Sequence, residues 1–507
     1  MKRTCVFVAA AVSVASSLSL AQGSVDPLTV HGLDQRTLSD IRARGMGGAV
    51  LAGTNRASIL FANPAGLAGM GTMDLRVAGI GVTTSQRQTQ EWVPNRLYTG
   101  LSLLMEDSWG DIKPPTDTSG NPIADPWEQL QKPFDAIGPN WSRSTNQALP
   151  LSVAFALPVQ IGDVALVLGA GGARAIDLNH FFQNNNVTDP LLGRYRPQPI
   201  PELQVGDTLR ARWFQSFRKR AGTIWGITPA IGMTIAGIGV GASATYYTGT
   251  SEDFEQRLDR GFLTFSNNKF RVQDTVHYAS VRTGSSAYTG FGGTVGIRIA
   301  EPRFTVAATL QLPYTLNRKY STAFQSREDV IIVRSLDSVQ TTVVSSSESG
   351  MEKIHFPLAY SFGVVLTPFP RGDVAFDYEI RNLRQVKYTL TNGTVSQPWV
   401  GAPSFRLGAE YRWNDWLALR AGYREVTQSF APEGSAIIGE PAVMSVYSAG
   451  AGLALFGMEI DVAYEYARLR YLDSWQSNVN YNTFTQHRLL LEIGTHLLGH
   501  THGAIEE

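Results

Sequence analysis

Cysteine is almost absent. The 507 residues contain one, Cys5, inside an N-terminal stretch with Lys2 and Arg3, an apolar run from Val6 to Leu20 and a small-residue site at Ser19-Leu20-Ala21. That pattern predicts an export signal over residues 1–21. Without Cys5 the mature chain has no disulfide framework, no thiolate metal site and no cysteine nucleophile. Net charge is absent too. Lys and Arg number 43, as do Asp and Glu, so no overall field favours nucleic acid. Past the signal no apolar run approaches the roughly 18 residues of a transmembrane helix. Mean hydropathy is −0.09, with 49 glycines and 18 tyrosines. A secreted soluble protein or an outer-membrane β-barrel is left.

What is present is alternation. In "SFRLGAEYRW" Phe405, Leu407, Ala409, Tyr411 and Trp413 oppose Arg406, Gly408, Glu410 and Arg412. "DVAFDYEIR", "RFTVAATLQLPY" and "EIDVAYEY" repeat the arrangement. Each reads as a strand with one apolar and one polar face. A soluble sheet alternates as well, so the connections must discriminate. Short turns fall at Ile161–Asp163, Ala236–Gly239, Ala300–Arg303, Pro368–Asp373, Trp413–Trp416 and Phe456–Met458. Long polar stretches (180–218, 251–285, 319–351, 387–402, 427–443 and 472–485) alternate with them. Short periplasmic turns and long external loops are the outer-membrane pattern.

The predicted fold is all-β: a transmembrane antiparallel β-barrel of about 14 strands over residues 73–498, with a periplasmic tail at 499–507. Strands fall near 73–86, 148–160, 163–177, 220–236, 238–250, 286–300, 303–318, 352–368, 371–386, 403–413, 415–426, 444–456, 457–471 and 486–498. Trp413 and Trp416 flank a short turn, where an interfacial aromatic belt is expected. "RARWFQSFRKR" (Arg210–Arg220) offers cations to lipopolysaccharide phosphates, or else forms a solvated basic loop.

Residues 22–72 do not alternate. "DQRTLSDIRARG" reads as a short helix with Leu38 and Ile41 on one side and Gly45 as its stop. "FANPAGLAGM" follows at 61–70, apolar and broken by Pro64, Gly66 and Gly69. An apolar, turn-prone piece at the mouth of a barrel has a place to hide inside the lumen, as an N-terminal hatch. Here "GMGGAVLA" and "ANPAGLAGM" resemble the hatch of FadL/TodX-type outer-membrane transporters of long-chain fatty acids and other hydrophobic compounds. Barrels of the PorV type, which serve protein secretion, have a similar N-terminus. Fourteen strands with a hatch is also the FadL/TodX plan. This chain departs from the usual aromatic final residue, closing its last strand at Leu497 or Leu498.

The resemblance implies three further features. Phe61, Leu67 and Met70 would line an apolar substrate pocket beside the Asn63-Pro64-Ala65-Gly66 motif. A kink in the third strand would open the wall sideways, and Gly169, Gly171 and Gly172 lie there; 290–296 and 449–452 are glycine-rich as well. External helices would form a capture groove. Candidates are "DPWEQLQKPFDAIG", with Trp127 and Leu130 on one face, and "SEDFEQRLDRG", with Ser251 as N-cap and Phe254 and Leu258 at i,i+4. Both faces could equally pack loop against loop.

Lumen-facing charges cluster late in the chain: Asp377, Arg381, Arg406, Glu410, Arg420, Asp461 and Glu465. They read as acid–base ladders that anchor the hatch, with Arg406 or Arg420 as alternative partners of a carboxylate head group. No segment brings a serine or carboxylate beside a histidine as an enzyme would need. His496, His500 and His502 make a poor metal site. No cofactor or metal is expected. The expectation is a passive monomeric transporter of hydrophobic molecules or fatty acids in a Gram-negative outer membrane, touching lipid and lipopolysaccharide but not nucleic acid. A secretion partner and a diffusion channel for small polar solutes are the alternatives.

Overall fold

The computed structural model describes residues 32–53, 56–92, 119, 140–162, 164–186, 208–266, 269–273, 277–331, 339–432, 440–475 and 478–497. The export signal, the tail after Leu497, Trp127 and Leu130 lie outside the described residues.

Fourteen strands make the wall. They are β1 (Met73–Trp92), β2 (Trp141–Ile161), β3 (Val164–Asp177 with His180–Asn186), β4 (Thr208–Ile235), β5 (Ile238–Ser266), β6 (Tyr278–Ala300) and β7 (Phe304–Gln311 with Tyr314–Ile331). Next come β8 (Val339–Phe356 with Ala359–Phe369), β9 (Gly372–Ile380), β10 (Ser404–Arg412), β11 (Leu417–Thr427), β12 (Val443–Leu455), β13 (Met458–Trp475) and β14 (Asn478–Leu497). Each neighbour is antiparallel to the next. β14 returns to β1 in continuous register from Met73↔Leu497 to Trp92↔Asn478, so the sheet closes. Closure pairs backbone groups that lipid could not satisfy.

Alternation positions the two faces. On β14, Leu489, Leu491 and Ile493 are exposed, while Leu490 and Glu492 are fully buried. The short turns are tight for a local reason. Ala236 and Gly237 (φ 50° and 80°), and Phe456 and Gly457 (φ 53° and 76°), take the left-handed pairs of two-residue hairpins. Trp413 and Trp416 are exposed on that rim.

The opposite end corrects the sequence reading. Much of 180–218, 251–285 and 319–351, expected as loops, is strand. The β4–β5 ladder runs from Ile235↔Ile238 to Thr208↔Ser266. β5 has 29 residues, far beyond the ~10 that cross a bilayer. Outside lipid neither face need be apolar, so the alternation fades while the hydrogen bonds continue. For the same reason the helix expected at "SEDFEQRLDRG" is absent: Phe254 pairs with Lys219 and Thr283, and Leu258 with Gln215 and Ala279. Two ladders satisfy that backbone better than a single short helix, which is marginal alone.

The N-terminal segment from Gly32 to Thr72 runs inside the ring, touching β1 to β6 on one side and β9 to β14 on the other. Its described residues contain one helical turn, α1 (Ile41–Gly45), and two 3-10 turns (Ala57–Phe61 and Pro64–Leu67).

Candidate ligand cavity

The segment is seated by two different kinds of contact. Asp40 caps α1 by accepting from Ala43 N (2.7 Å) and from the Ser58 hydroxyl (2.8 Å). Beyond α1 the chain lies directly on wall glycines. A Cβ on Gly422 would stand 2.0 Å from Gly47 N, and one on Gly408 2.2 Å from the Met46 carbonyl. Across the lumen Pro64 and Ala65 press on Gly241, and Asn63 Oδ1 on Gly296. Asn63 is fully buried; it accepts from Ala65 N (3.1 Å) and donates to the Leu51 carbonyl (2.9 Å). The motif thus makes a rigid turn that fits a wall without side chains.

Charge holds the other side. Arg42 forks onto Glu410 (both contacts 2.7 Å), and Arg420 joins Glu410 (2.6 Å) to Asp461 (2.6 Å). Arg56 pairs with Asp461 as well. Arg44 reaches Glu465, which also accepts from Arg424 (2.8 Å) and Arg488 (3.1 Å). Asp377 accepts from Val50 N (2.7 Å) and Leu51 N (3.1 Å). Arg406 pairs with Glu379, and Arg381 donates to the Asp34 carbonyl (2.7 Å). Burial pushes the Asp34 carboxyl above its usual range, against the opposing pull of Arg381.

Cavities lie on both sides of the segment. One of 940 Å³ faces the short-turn rim beside Trp416. The other, of 450 Å³, faces the long-strand end and has two unlike walls. Phe61, Ile80, Leu149 and Leu151 make an apolar wall toward β1 and β2. Arg381, Arg406, Arg424 and Arg488 line the wall of β9 to β11 and β14.

The apolar wall borders a break in the sheet. The β2–β3 ladder runs from Ile161↔Val164 to Ser152↔Ala173 and ends there. Above that point β2 continues on β1 to Trp141, and β3 continues on β4 to Asn186. No ladder joins β2 to β3 there among the described residues. The freed edge of β3 turns inward and pairs with the N-terminal segment instead. Arg36 bridges Ile176, Thr37 N donates to the Ala175 carbonyl (3.1 Å), and Asp177 N donates to the Gln35 carbonyl (3.2 Å). Across the gap no backbone pair forms among the described residues, although Gln86 Nε2 on β1 donates to the Phe181 carbonyl (3.3 Å). Trp141 and Phe181 are edge-to-face at 5.8 Å, and the Arg143 guanidinium lies 4.0 Å from the Phe181 ring centre. The break starts at the height of the apolar band, since the row of Leu149, Ile80 and Leu490 is flanked on β14 by the exposed Leu489 and Leu491.

Few of the residues singled out in the sequence reach the cavity. Phe61 does, half-buried. Asn63, Pro64, Gly66, Leu67 and Met70 are buried in the seat and line neither cavity. Gly66 is tied to its neighbour, with Ile59 Cγ1 2.5 Å from where a Cβ would stand. The third-strand glycines are not where the wall parts. Gly169, Gly171 and Gly172 sit in unbroken ladders on both sides, and the pairing ends beyond them. Gly169 and Gly171 make room for Leu67 and Phe61, whose atoms would lie 3.0 and 2.7 Å from an added Cβ. Arg420 is consumed by Glu410 and Asp461 and is absent from the 450 Å³ cavity, whereas Arg406 lines it. Sequence reading missed Arg36, Leu149 and Phe181. Leu149 alternates as any wall residue does, and nothing local marks a strand that loses its partner.

A closed fourteen-stranded wall, apolar outside and filled by its own N-terminus, defines a membrane barrel, and its fold is of the FadL type. Two solved structures carry that likeness. A Pseudomonas aeruginosa FadL homologue matches with a TM-score of 0.54 at 11% identity, over 91% of this chain and 98% of its own. The Pseudomonas putida toluene transporter TodX gives 0.52 at 13% identity, over 92% and 100%. No family model and no curated relative matches the chain.

Proposed function

We propose that this chain is a passive transporter of hydrophobic small molecules in a Gram-negative outer membrane, with residues 22–72 as its hatch. The solute enters from the long-strand end and rests against Phe61, Leu149 and Leu151. It leaves sideways into lipid between β2 and β3. Its own preference for apolar surroundings, about 0.8 kcal/mol per buried CH₂, drives the transfer, so no energy source is required. The FadL homologue and the toluene transporter TodX share the fold, which supports the same reading. So do the buried contacts that hold the N-terminal segment across the lumen between the two cavities, which favour it over a diffusion channel.

The observation that carries the proposal is the ladder that stops at Ser152↔Ala173 beside an apolar cavity wall. The test uses the absence of cysteine from the mature chain. Trp141→Cys with Phe181→Cys is bridged by a reducible bis-thiosulfonate, and uptake of a radiolabelled long-chain fatty acid and of toluene is followed in proteoliposomes. Bridging is expected to abolish uptake of the true solute class, and reduction to restore it. Undiminished uptake in the bridged protein would remove the lateral route; no uptake of either solute by the unmodified protein would remove the transporter reading.

A further inference from the structure

The outward face of β6, β7 and β8 changes character just beyond the apolar band. One register row holds the exposed rings of Tyr246 and Phe291, followed by Thr315, His355 and Lys387. Lys387 belongs to a short strand between β9 and β10 (Lys387–Thr389), laid on the edge of β8. One row further out is Lys353, opposite Asn317 and Thr389; one more row out is Lys319, opposite Met351. All three lysines are exposed.

Charge is sorted across this part of the wall. The outward positions of β6 from Thr283 to Phe291, of β7 from Thr315 to Gln325 and of β8 from Ser345 to His355 carry no carboxylate. The acids of β8 point inward. Glu352 accepts from Arg318 (2.5 Å), and Glu348 from the Tyr320 hydroxyl (2.6 Å). Among the described residues none of the three lysines has a carboxylate partner.

Lys319, Lys353 and Lys387 are successive diagonal neighbours, spaced by about 7–8 Å. Two and four residues of strand above the aromatic row, on strands tilted by about 40°, amount to a height of about 5 and 10 Å. That height is the headgroup layer outside a hydrocarbon core of about 30 Å. Three unpaired, flexible ammonium groups without competing acids are suited to phosphate.

We propose that this face binds the phosphate groups of outer-leaflet glycolipid, with Lys353 at the centre and Lys319 and Lys387 on either side. The site differs from the Arg210–Arg220 stretch that the sequence alone suggested: Arg218 and Arg220 are turned into ion pairs with Glu255 and Asp253. It rests on the membrane placement proposed above and is independent of the transported solute.

The test places the folded full chain in phosphatidylcholine nanodiscs with equal traces of bisphosphorylated lipid A and its dephosphorylated form. Retained lipid is then read by native mass spectrometry. The wild type is expected to retain the phosphorylated form preferentially, and K319S/K353S/K387S to lose roughly tenfold of that preference. R371S/R412S, on the opposite rim, is expected to keep it. Should the triple variant fold poorly by heat-modifiable mobility, Lys353→Gln serves in its place. Equal retention of the two lipids by the wild type, or an unchanged preference in a folded lysine variant, would overturn the proposal. Failure of the wild type to enter nanodiscs would instead overturn the membrane placement.

Discussion

Arg44 and Glu465 stand 421 positions apart and meet as a two-pronged ion pair, at 2.9 and 2.5 Å, with both side chains buried. The same carboxylate serves Arg424 and Arg488, so one acid balances three arginines. Glu465→Gln leaves those cations facing one another out of water. It is expected to lower stability by about 3–5 kcal/mol, the range for breaking a buried pair. The temperature at which the folded band disappears from a semi-native gel measures it.

The glycine seat predicts a leak. Gly422→Ala puts a methyl 2.0 Å from Gly47 N, and Gly241→Ala puts one 2.3 Å from the Pro64 carbonyl carbon. Backbone stands on both sides of each contact, so the segment must lift. An overpacking cost of about 1–3 kcal/mol is expected, with steady conductance in planar bilayers. Gly172→Ala meets nothing within 4 Å and is expected to stay silent in the same recording.

Phe61 and Leu67 should separate binding from folding. Phe61 borders the cavity, so Phe61→Ala is expected to weaken displacement of a fluorescent fatty-acid probe per folded molecule, besides the stability lost where its ring packs beside Gly171. Leu67 is fully buried away from it. Leu67→Ala is expected to cost about 2–5 kcal/mol with probe affinity per folded molecule unchanged.

Asp34 gives a pH dependence of definite sign. Its folded pKa is raised, so ionisation opposes the native state. That penalty is absent below the unfolded carboxylate range, grows as pH rises, and is complete above the folded pKa. Asp34→Asn is therefore expected to gain over the wild type as pH rises above the unfolded carboxylate range and to converge with it in acid. Urea midpoints across that range decide it, and parallel curves would contradict it.

The wall could be read from the sequence because lipid imposes a strict rule on one face: Phe405, Leu407, Ala409 and Tyr411 point one way for a single physical reason. Strand length beyond the bilayer could not, because 251–266 has no lipid to exclude and reads as helix or loop until two ladders claim it. The hatch motif was visible as composition, yet its role in packing was not. Asn63 and Pro64 looked like ligand contacts, and only the opposing glycines Gly241 and Gly296 reveal them as a fitted seat. The break beside β3 depends on which partner a strand finds, and no local pattern encodes that.

The division of anchors also orders assembly in time. The arginines of the N-terminal segment emerge first, while their carboxylates on β10, β13 and β14 belong to the last part of the chain to be made. Until those strands arrive, Arg42, Arg44 and Arg56 have most of their acids still to come. Stable seating must then coincide with the meeting of β1 and β14, so the seam that seals the wall also locks what it encloses.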